Sequence, residues 1–323
     1  MITRPAALLL ALSVGCRTAP IPEAQRYPAG TPFRAQYRTI DGTQLRIIDS
    51  GRGTPVVLIH GFAASIYVWR YTLPPLVGAG YRVVAFDTRG FGFSGKPAHG
   101  YSNADYSRLV VALLDSLGIS SAVLVGHSMG GAIAAEVALT HPDRVRGLVL
   151  MDAAGFGVRW PGVLKMARWP FLGAVVTRMQ GRWSTEKILR STYADSAKVT
   201  KADVDQYYAP VRDPGFGRAL RGVLREFRFD SLVGRLAAVQ APTLILWGDA
   251  DRWISLRDGS KFAREIPRSE FVVVARAGHN IPEESPEQVN QLLLDFLKEG
   301  LTRVPDNVAW STPSSRFSRF SSR

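Results

Sequence analysis

Along the chain, short continuous apolar runs alternate with stretches whose apolar positions recur every three or four residues. Val56-Val57-Leu58-Ile59 is the first such run, and similar ones follow at Val83–Phe86, Ala122–Val125, Leu148–Met151, Thr243–Trp247 and Phe271–Val274. A run without polar interruption is what a strand needs when both faces of its sheet are covered, as in parallel sheets. Ahead of them, Gln36–Ile40 and Gln44–Asp49 flank Asp41-Gly42, a dipeptide suited to closing a hairpin. Amphipathic stretches at Tyr106–Leu117, Met129–Thr140 and Pro286–Glu299 predict helices between several of the strands. Strands alternating with helices predict an α/β fold with a doubly wound, mostly parallel sheet, opened by an antiparallel hairpin.

One interval breaks the rhythm. The runs at Leu148–Met151 and Thr243–Trp247 stand about ninety residues apart, far more than one crossover helix needs. Residues 156–236 of that interval are helix-like and carry Trp160, Trp169, Phe171, Met179 and Trp183. They are expected to form an inserted helical cap on a core of residues 34–155 and 237–300. The tail, 301–323, is Ser/Arg-rich, poor in aliphatics and expected to be disordered. At the other end, Arg4 precedes an apolar run from Ala6 to Val14, then Gly15 and Cys16. That run is too short to span a bilayer, which takes about 20 residues, and it has the length of a secretory signal's apolar region. Residues 1–16 are therefore expected to direct export. Small residues before a cysteine resemble a bacterial lipoprotein signal, which would place a lipid anchor on Cys16; the other reading is plain secretion after cleavage near Gly15 or Ala19. Residues 17–33, with Pro20, Pro22, Pro28 and Pro32, are expected to be an extended tether.

Charge narrows the partners. Forty Lys and Arg stand against 27 Asp and Glu, a formal net charge of +13. Residues 156–236 hold fifteen of the basic and seven of the acidic residues, so the cap supplies a surplus of eight. Two readings fit that surplus, a solvated outer helix face or attraction to an anionic membrane surface. No nucleic-acid motif accompanies it, and nucleic-acid binding is rejected. A single cysteine excludes an intrachain disulfide and a tetrahedral thiolate metal site.

The chemistry is expected at the carboxyl ends of the strands, where open α/β sheets bind ligands. Gly126-His127-Ser128-Met129-Gly130 follows the run ending at Val125 and precedes a helix. A nucleophile on so sharp a turn needs flanks without side chains, which Gly126 and Gly130 provide. Further pieces join it: His60-Gly61-Phe62, Asp87-Thr88-Arg89-Gly90-Phe91-Gly92-Phe93-Ser94, Trp247-Gly248-Asp249-Ala250-Asp251 and Gly278-His279.

Together these motifs resemble the α/β-hydrolase superfamily, in particular its capped, esterase- and lipase-like serine hydrolases, over nearly all of residues 34–300. The resemblance implies Ser128 as nucleophile, His279 as base and Asp251 as the acid that orients it, in that fold's order. It makes Asp249 a turn residue and Asp152 a less favoured stand-in for the acid. It also implies an oxyanion hole made by the backbone N–H groups of Phe62 and Met129. His60 is expected to support that loop, His127 to shape the pocket wall, and His99, His141, Asp87 and Arg89 to be structural. The implied function is hydrolysis of small to medium carboxylic esters through an acyl-serine, with no cofactor and no metal. The alternatives are carbon–carbon bond hydrolysis of ring-cleavage products, against which His127 counts because that group usually has Asn there, and a hydrolase-fold ligand-binding protein.

Overall fold

The computed structural model describes residues 22–160, 162–167, 169, 173–175, 177 and 180–301. The expected export signal with Cys16, the first part of the tether, Phe171, Met179 and the tail beyond Leu301 lie outside these residues. Among the described residues no helix is long and apolar enough to cross a membrane.

Eight strands make one sheet: β1 (Ala35–Ile40), β2 (Thr43–Ser50), β3 (Pro55–Ile59), β4 (Arg82–Phe86), β5 (Ala122–His127), β6 (Val145–Met151), β7 (Thr243–Gly248) and β8 (Ser269–Val274). Their order is β1-β2-β4-β3-β5-β6-β7-β8. β2 runs antiparallel to both β1 and β4, and all later pairings are parallel. Every strand read from the apolar runs is present. The β1–β2 turn has Asp41 at φ 46° and Gly42 at φ 68°, the two positive angles that match a tight turn to the strand twist.

Burial explains why the central strands lack polar positions. Val57 and Ile59 of β3 enter the core on one face of the sheet, while Val56 and Leu58 enter the core on the other. Helices cover both faces. The first face takes α2 (Asn103–Ser116) and α3 (Met129–Thr140), and the second takes α1 (Leu73–Gly78). α2 starts three residues earlier than its apolar period indicates, because Ser102 and Asp105 form a reciprocal capping box. α3 is buried from Met129 to Ala138. Its small residues let it approach closely, and a Cβ on Gly131 would stand 2.5 Å from the Cβ of Ala153.

Between β6 and β7 lie the cap helices α4 (Gly162–Met166), α5 (Arg182–Ser191), α6 (Lys201–Val211) and α7 (Phe216–Glu226). The chain then forms α8 (Leu256–Glu265), α9 (Ile281–Glu284) and α10 (Pro286–Asp295). The last α-helix is shorter than predicted, passing into a π-turn over Phe296–Gly300.

One expectation is corrected. The described part of the tether is packed down rather than extended. Tyr27 and Phe33 are buried. The Tyr27 N–H donates to Gln206 of α6, Gln206 donates back to the Gln25 carbonyl, and the rings of Tyr27 and Tyr67 meet edge to face at 5.8 Å. Counting prolines missed Tyr27 and Phe33 beside them, whose burial outweighs the chain's preference for extension.

Candidate active site

Ser128 follows β5 directly and has φ 55°, ψ −119°, an angle pair that side chains resist. The neighbouring glycines show why the turn can exist. A Cβ at Gly126 would lie 2.2 Å from the Gly130 carbonyl oxygen, and one at Gly130 would lie 2.0 Å from that of Ile59. The turn is fixed on both sides by backbone bonds, Ser128 N–H to Met151 O at 2.9 Å and Ala154 N–H to Ser128 O at 2.9 Å. The side chain is thus held at the amino end of α3, where the helix dipole favours negative charge.

Two loops from distant sequence meet it. His279 follows β8 and places Nε2 2.8 Å from Ser128 Oγ and Nδ1 2.8 Å from Asp251 Oδ2. The other oxygen of Asp251 accepts from the backbone N–H of Trp253 (2.7 Å) and Ile254 (3.0 Å). The carboxylate is therefore fully used, and its geometry orients the imidazole. Asp249 accepts from the Ala277 N–H at 3.3 Å, as a turn residue does. Asp152 sits behind the group. Its Oδ1 accepts from Gly248 N–H at 2.9 Å, and its Oδ2 is buried without a partner. Burial, aided by the nearby Asp251 charge, pushes its carboxyl well above the usual range, which disfavours a second anion behind the group.

The β3 loop closes the other side. His60 Nε2 accepts from Thr88 N–H at 2.9 Å, and its Nδ1 lies 2.8 Å from the Gly61 carbonyl. Burial lowers the pKa of this ring and so disfavours its charged form, while these two contacts favour a proton on Nδ1. A Cβ on Gly61 would come within 3.0 Å of Ser128 Cβ, so the loop is pressed against the serine. Among the described residues, no acceptor is found for the backbone N–H of Phe62 or of Met129. Two donors beside an aligned Ser–His–Asp set are what acyl transfer requires.

Above Ser128 a cavity of about 120 Å³ lies between the sheet and the cap. Its wall includes Phe62, Trp160, Ile188, Val211, Leu220, Phe229 and Trp253. Among the described lining residues there is no Lys, Arg, Asp or Glu. The hydroxyls of Ser184, Thr185 and Thr192 are spent on carbonyls of their own helix.

The family pattern described as alpha/beta hydrolase fold matches residues 54–286. The chain belongs to that family. It is 34% identical over 275 residues to a 2-hydroxy-6-oxononadienedioate/2-hydroxy-6-oxononatrienedioate hydrolase of Paraburkholderia phymatum, covering 79% of this chain and 92% of that protein. Among solved structures it is similar to a meta-cleavage product hydrolase of Pseudomonas fluorescens, with TM-score 0.71 and 29% identity over 82% of this chain and 97% of that one. It is also similar to a carboxylesterase of Bacillus subtilis, with TM-score 0.73 and 25% identity over 83% of this chain and 92% of that one.

In this hydrolase several residues matter that the sequence did not single out. Trp253 stacks on the His279 ring at 6.1 Å and an interplanar angle of 14°, while its backbone N–H holds Asp251. Its place two residues after the acid was the only available signal. A buried ionic cluster forms beside the cavity. Arg70 pairs with Glu283 and, at 2.8 Å, with Asp203 of the cap. Glu283 also accepts from Tyr207 (2.6 Å) and Asn280 (2.8 Å), both of which line the cavity. Burial pushes the Glu283 carboxyl up against the opposing pull of Arg70. The cluster ties α6 to the loop that carries His279.

The remaining candidates divide clearly. Asp87 accepts from the N–H groups of Ile66 and Phe93, and Arg89 binds Thr43, Asp41 and the Gly100 carbonyl, all as loop fasteners. His99 is on the surface, 3.9 Å from Glu226, and His141 contacts Thr140. His127 lines the cavity, and its Nε2 lies 2.7 Å from the His279 carbonyl. Burial, with His279 adding to it, lowers its pKa to about 3. His127, Asp152 and His279 bring ligand-type atoms within 4.8 Å of one another. Both ring nitrogens of His279 are already engaged, however, and we assign no metal.

Proposed function

We propose that the protein is a serine hydrolase that cleaves uncharged, apolar carboxylic esters of small to medium size. In this reading Ser128 Oγ attacks the ester carbonyl carbon while His279 Nε2 takes its proton. Asp251 stabilises the imidazolium through Nδ1–H. The oxyanion accepts from the N–H groups of Phe62 and Met129. As the carbon–oxygen bond breaks, His279 returns the proton to the departing alcohol. Water then repeats the sequence on the acyl-serine.

The observation that carries the choice of substrate is the cavity lining. The dienedioate named for the relative carries two carboxylates, and burying an unpaired carboxylate costs several kcal/mol. Among the described lining residues neither Lys nor Arg offers a charge to offset that cost. A neutral ester incurs none of it. Carbon–carbon cleavage of a ring-cleavage product is the second reading, favoured by the likeness to the meta-cleavage hydrolases.

The test is labelling with a fluorophosphonate, followed by aryl esters of rising chain length and a ring-cleavage dienoate. The proposal expects the adduct on Ser128 and multiple turnovers of the esters. Turnover of the dienoate alone would replace it with the second reading.

A further inference from the structure

The cap carries a surface that the hydrolytic chemistry does not use. Between Asp152 and Glu186 the chain contains no acidic residue but has Arg159, Lys165, Arg168, Arg178 and Arg182. Arg182 reaches out of the stretch to Glu186 and Asp205, as Arg190, Lys201 and Arg228 elsewhere in the cap pair with Glu186, Asp205 and Asp230. Among the described residues no acid pairs with Arg159 or Lys165.

The acid-free stretch is also where apolar side chains reach solvent. Met166 is 42% exposed, Val175 54%, Trp169 69% and Trp183 74%. A lone exposed apolar residue means little, but two indoles that open to water within one short stretch point to an interaction surface. Arg159, Lys165 and Lys187 are exposed beside them in sequence, and the Lys187 ammonium lies 5.2 Å from the Trp183 ring. The inner side of the same stretch walls the cavity through Val158, Trp160 and Gln180. On α5, Ser184 and Ile188 face the cavity while Trp183 and Lys187 face solvent. One helix thickness therefore separates this surface from the substrate site.

We infer that this face of the cap docks on an anionic lipid bilayer, with Trp169 and Trp183 entering the headgroup layer and the basic residues meeting lipid phosphates. Indole rings favour that layer because one edge is apolar and the other donates a hydrogen bond. Clustered Lys and Arg are drawn to anionic leaflets. A second copy of the chain is a poor occupant, since a two-fold contact would set one predominantly basic face against another. Docking in this way would bring the cavity close to substrates dissolved in the membrane.

Flotation with lipid vesicles tests the inference. The full chain carrying Cys16→Ser serves as parent, so that no acyl group contributes and every comparison shares one amino-terminal segment. The parent should float with vesicles of phosphatidylcholine plus phosphatidylglycerol, float much less with phosphatidylcholine alone, and dissociate as salt rises. Trp169→Ala with Trp183→Ala should lower the partition coefficient by about tenfold for each indole removed, with the melting temperature unchanged. Lys165→Glu should weaken binding and flatten its salt dependence. Three results would overturn the docking surface: a double tryptophan variant that floats like the parent, binding indifferent to phosphatidylglycerol, or tryptophan-dependent dimers in light scattering without vesicles.

Discussion

On the sheet side of the cavity Ser128 and Asp251 are set by backbone. Ser128 is locked at φ 55° between glycines that admit no Cβ, and Asp251 is held by two consecutive N–H groups. On the cap side the wall is set by side-chain packing. The ring of Trp160 rests on Phe229 at 4.8 Å and on Phe62 at 5.1 Å, and the segment that supplies it turns Trp169 and Trp183 to solvent. A wall fixed by backbone tolerates almost no substitution, because any added atom meets main chain. A wall fixed by packing can exchange one apolar side chain for another and change what fits. In the proposed mechanism this contrast gives bond-breaking to the sheet and substrate choice to the cap.

The largest effect should come from the sheet side. Ser128→Ala or His279→Ala is expected to lower kcat on an aryl ester by roughly ten thousandfold or more, since the group acts as a unit. Steady-state kinetics with an unchanged melting temperature as a control for intact fold would check this, and loss of only tenfold would break the assignment.

Next in size is the pair of carboxyls. Asp251→Asn should cost about a hundredfold or more, because the amide cannot stabilise the imidazolium. Asp152→Asn should cost less than about tenfold, since burial already disfavours its charged form and the His279 ring bonds Asp251 instead. The reverse order in a kcat comparison would move the acid from β7 to β6.

On the cap side, Trp160→Ala should leave labelling of Ser128 by a small phosphonate nearly unchanged. It should shift the optimum acyl chain length upward, with kcat/KM for the parent's best ester falling about tenfold. An unchanged chain-length profile would show that the cap does not choose the substrate.

A smaller effect concerns acid stability. His127 has its pKa lowered to about 3, against an ordinary value of 6.5. In the unfolded chain it therefore takes up a proton at higher pH than in the folded one. Its contribution is present above pH 6.5 and is lost as pH falls from there toward about 3. Melting temperature should drop less steeply over that window in His127→Gln than in the parent, at most about 1.4 kcal/mol of stability for each pH unit. Parallel curves would show that this ring does not carry the dependence.

The two regions also differed in how far the sequence disclosed them. The six strands β3 to β8 were legible as continuous apolar runs, which covered sheet faces favour, and β1 and β2 through the Asp41-Gly42 turn between them. The elbow at Gly126–Gly130 and the loops carrying Asp251 and His279 were legible as motifs, since their backbone geometry admits few residues. Trp253 and the Arg70–Glu283–Asp203 cluster were not, because their partners stand far apart in sequence and depend on how the cap settles. Tyr27 and Phe33 were missed for a related reason. Proline content describes a segment's local preference, whereas burial is decided by distant partners, such as Tyr67 and Gln206 for Tyr27, which only the fold brings near.

The division of labour, and the neutral substrate it implies, can be put to one matched measurement. Para-nitrophenyl butyrate and para-nitrophenyl hemisuccinate share a leaving group and an acyl length but differ by a terminal carboxylate. With no Lys or Arg among the described residues that line the cavity, kcat/KM should favour the butyrate by about a hundredfold or more, the cost of burying an unpaired carboxylate. Equal rates, or a preference for the hemisuccinate, would contradict the proposed neutral-ester site and point instead to an acidic substrate.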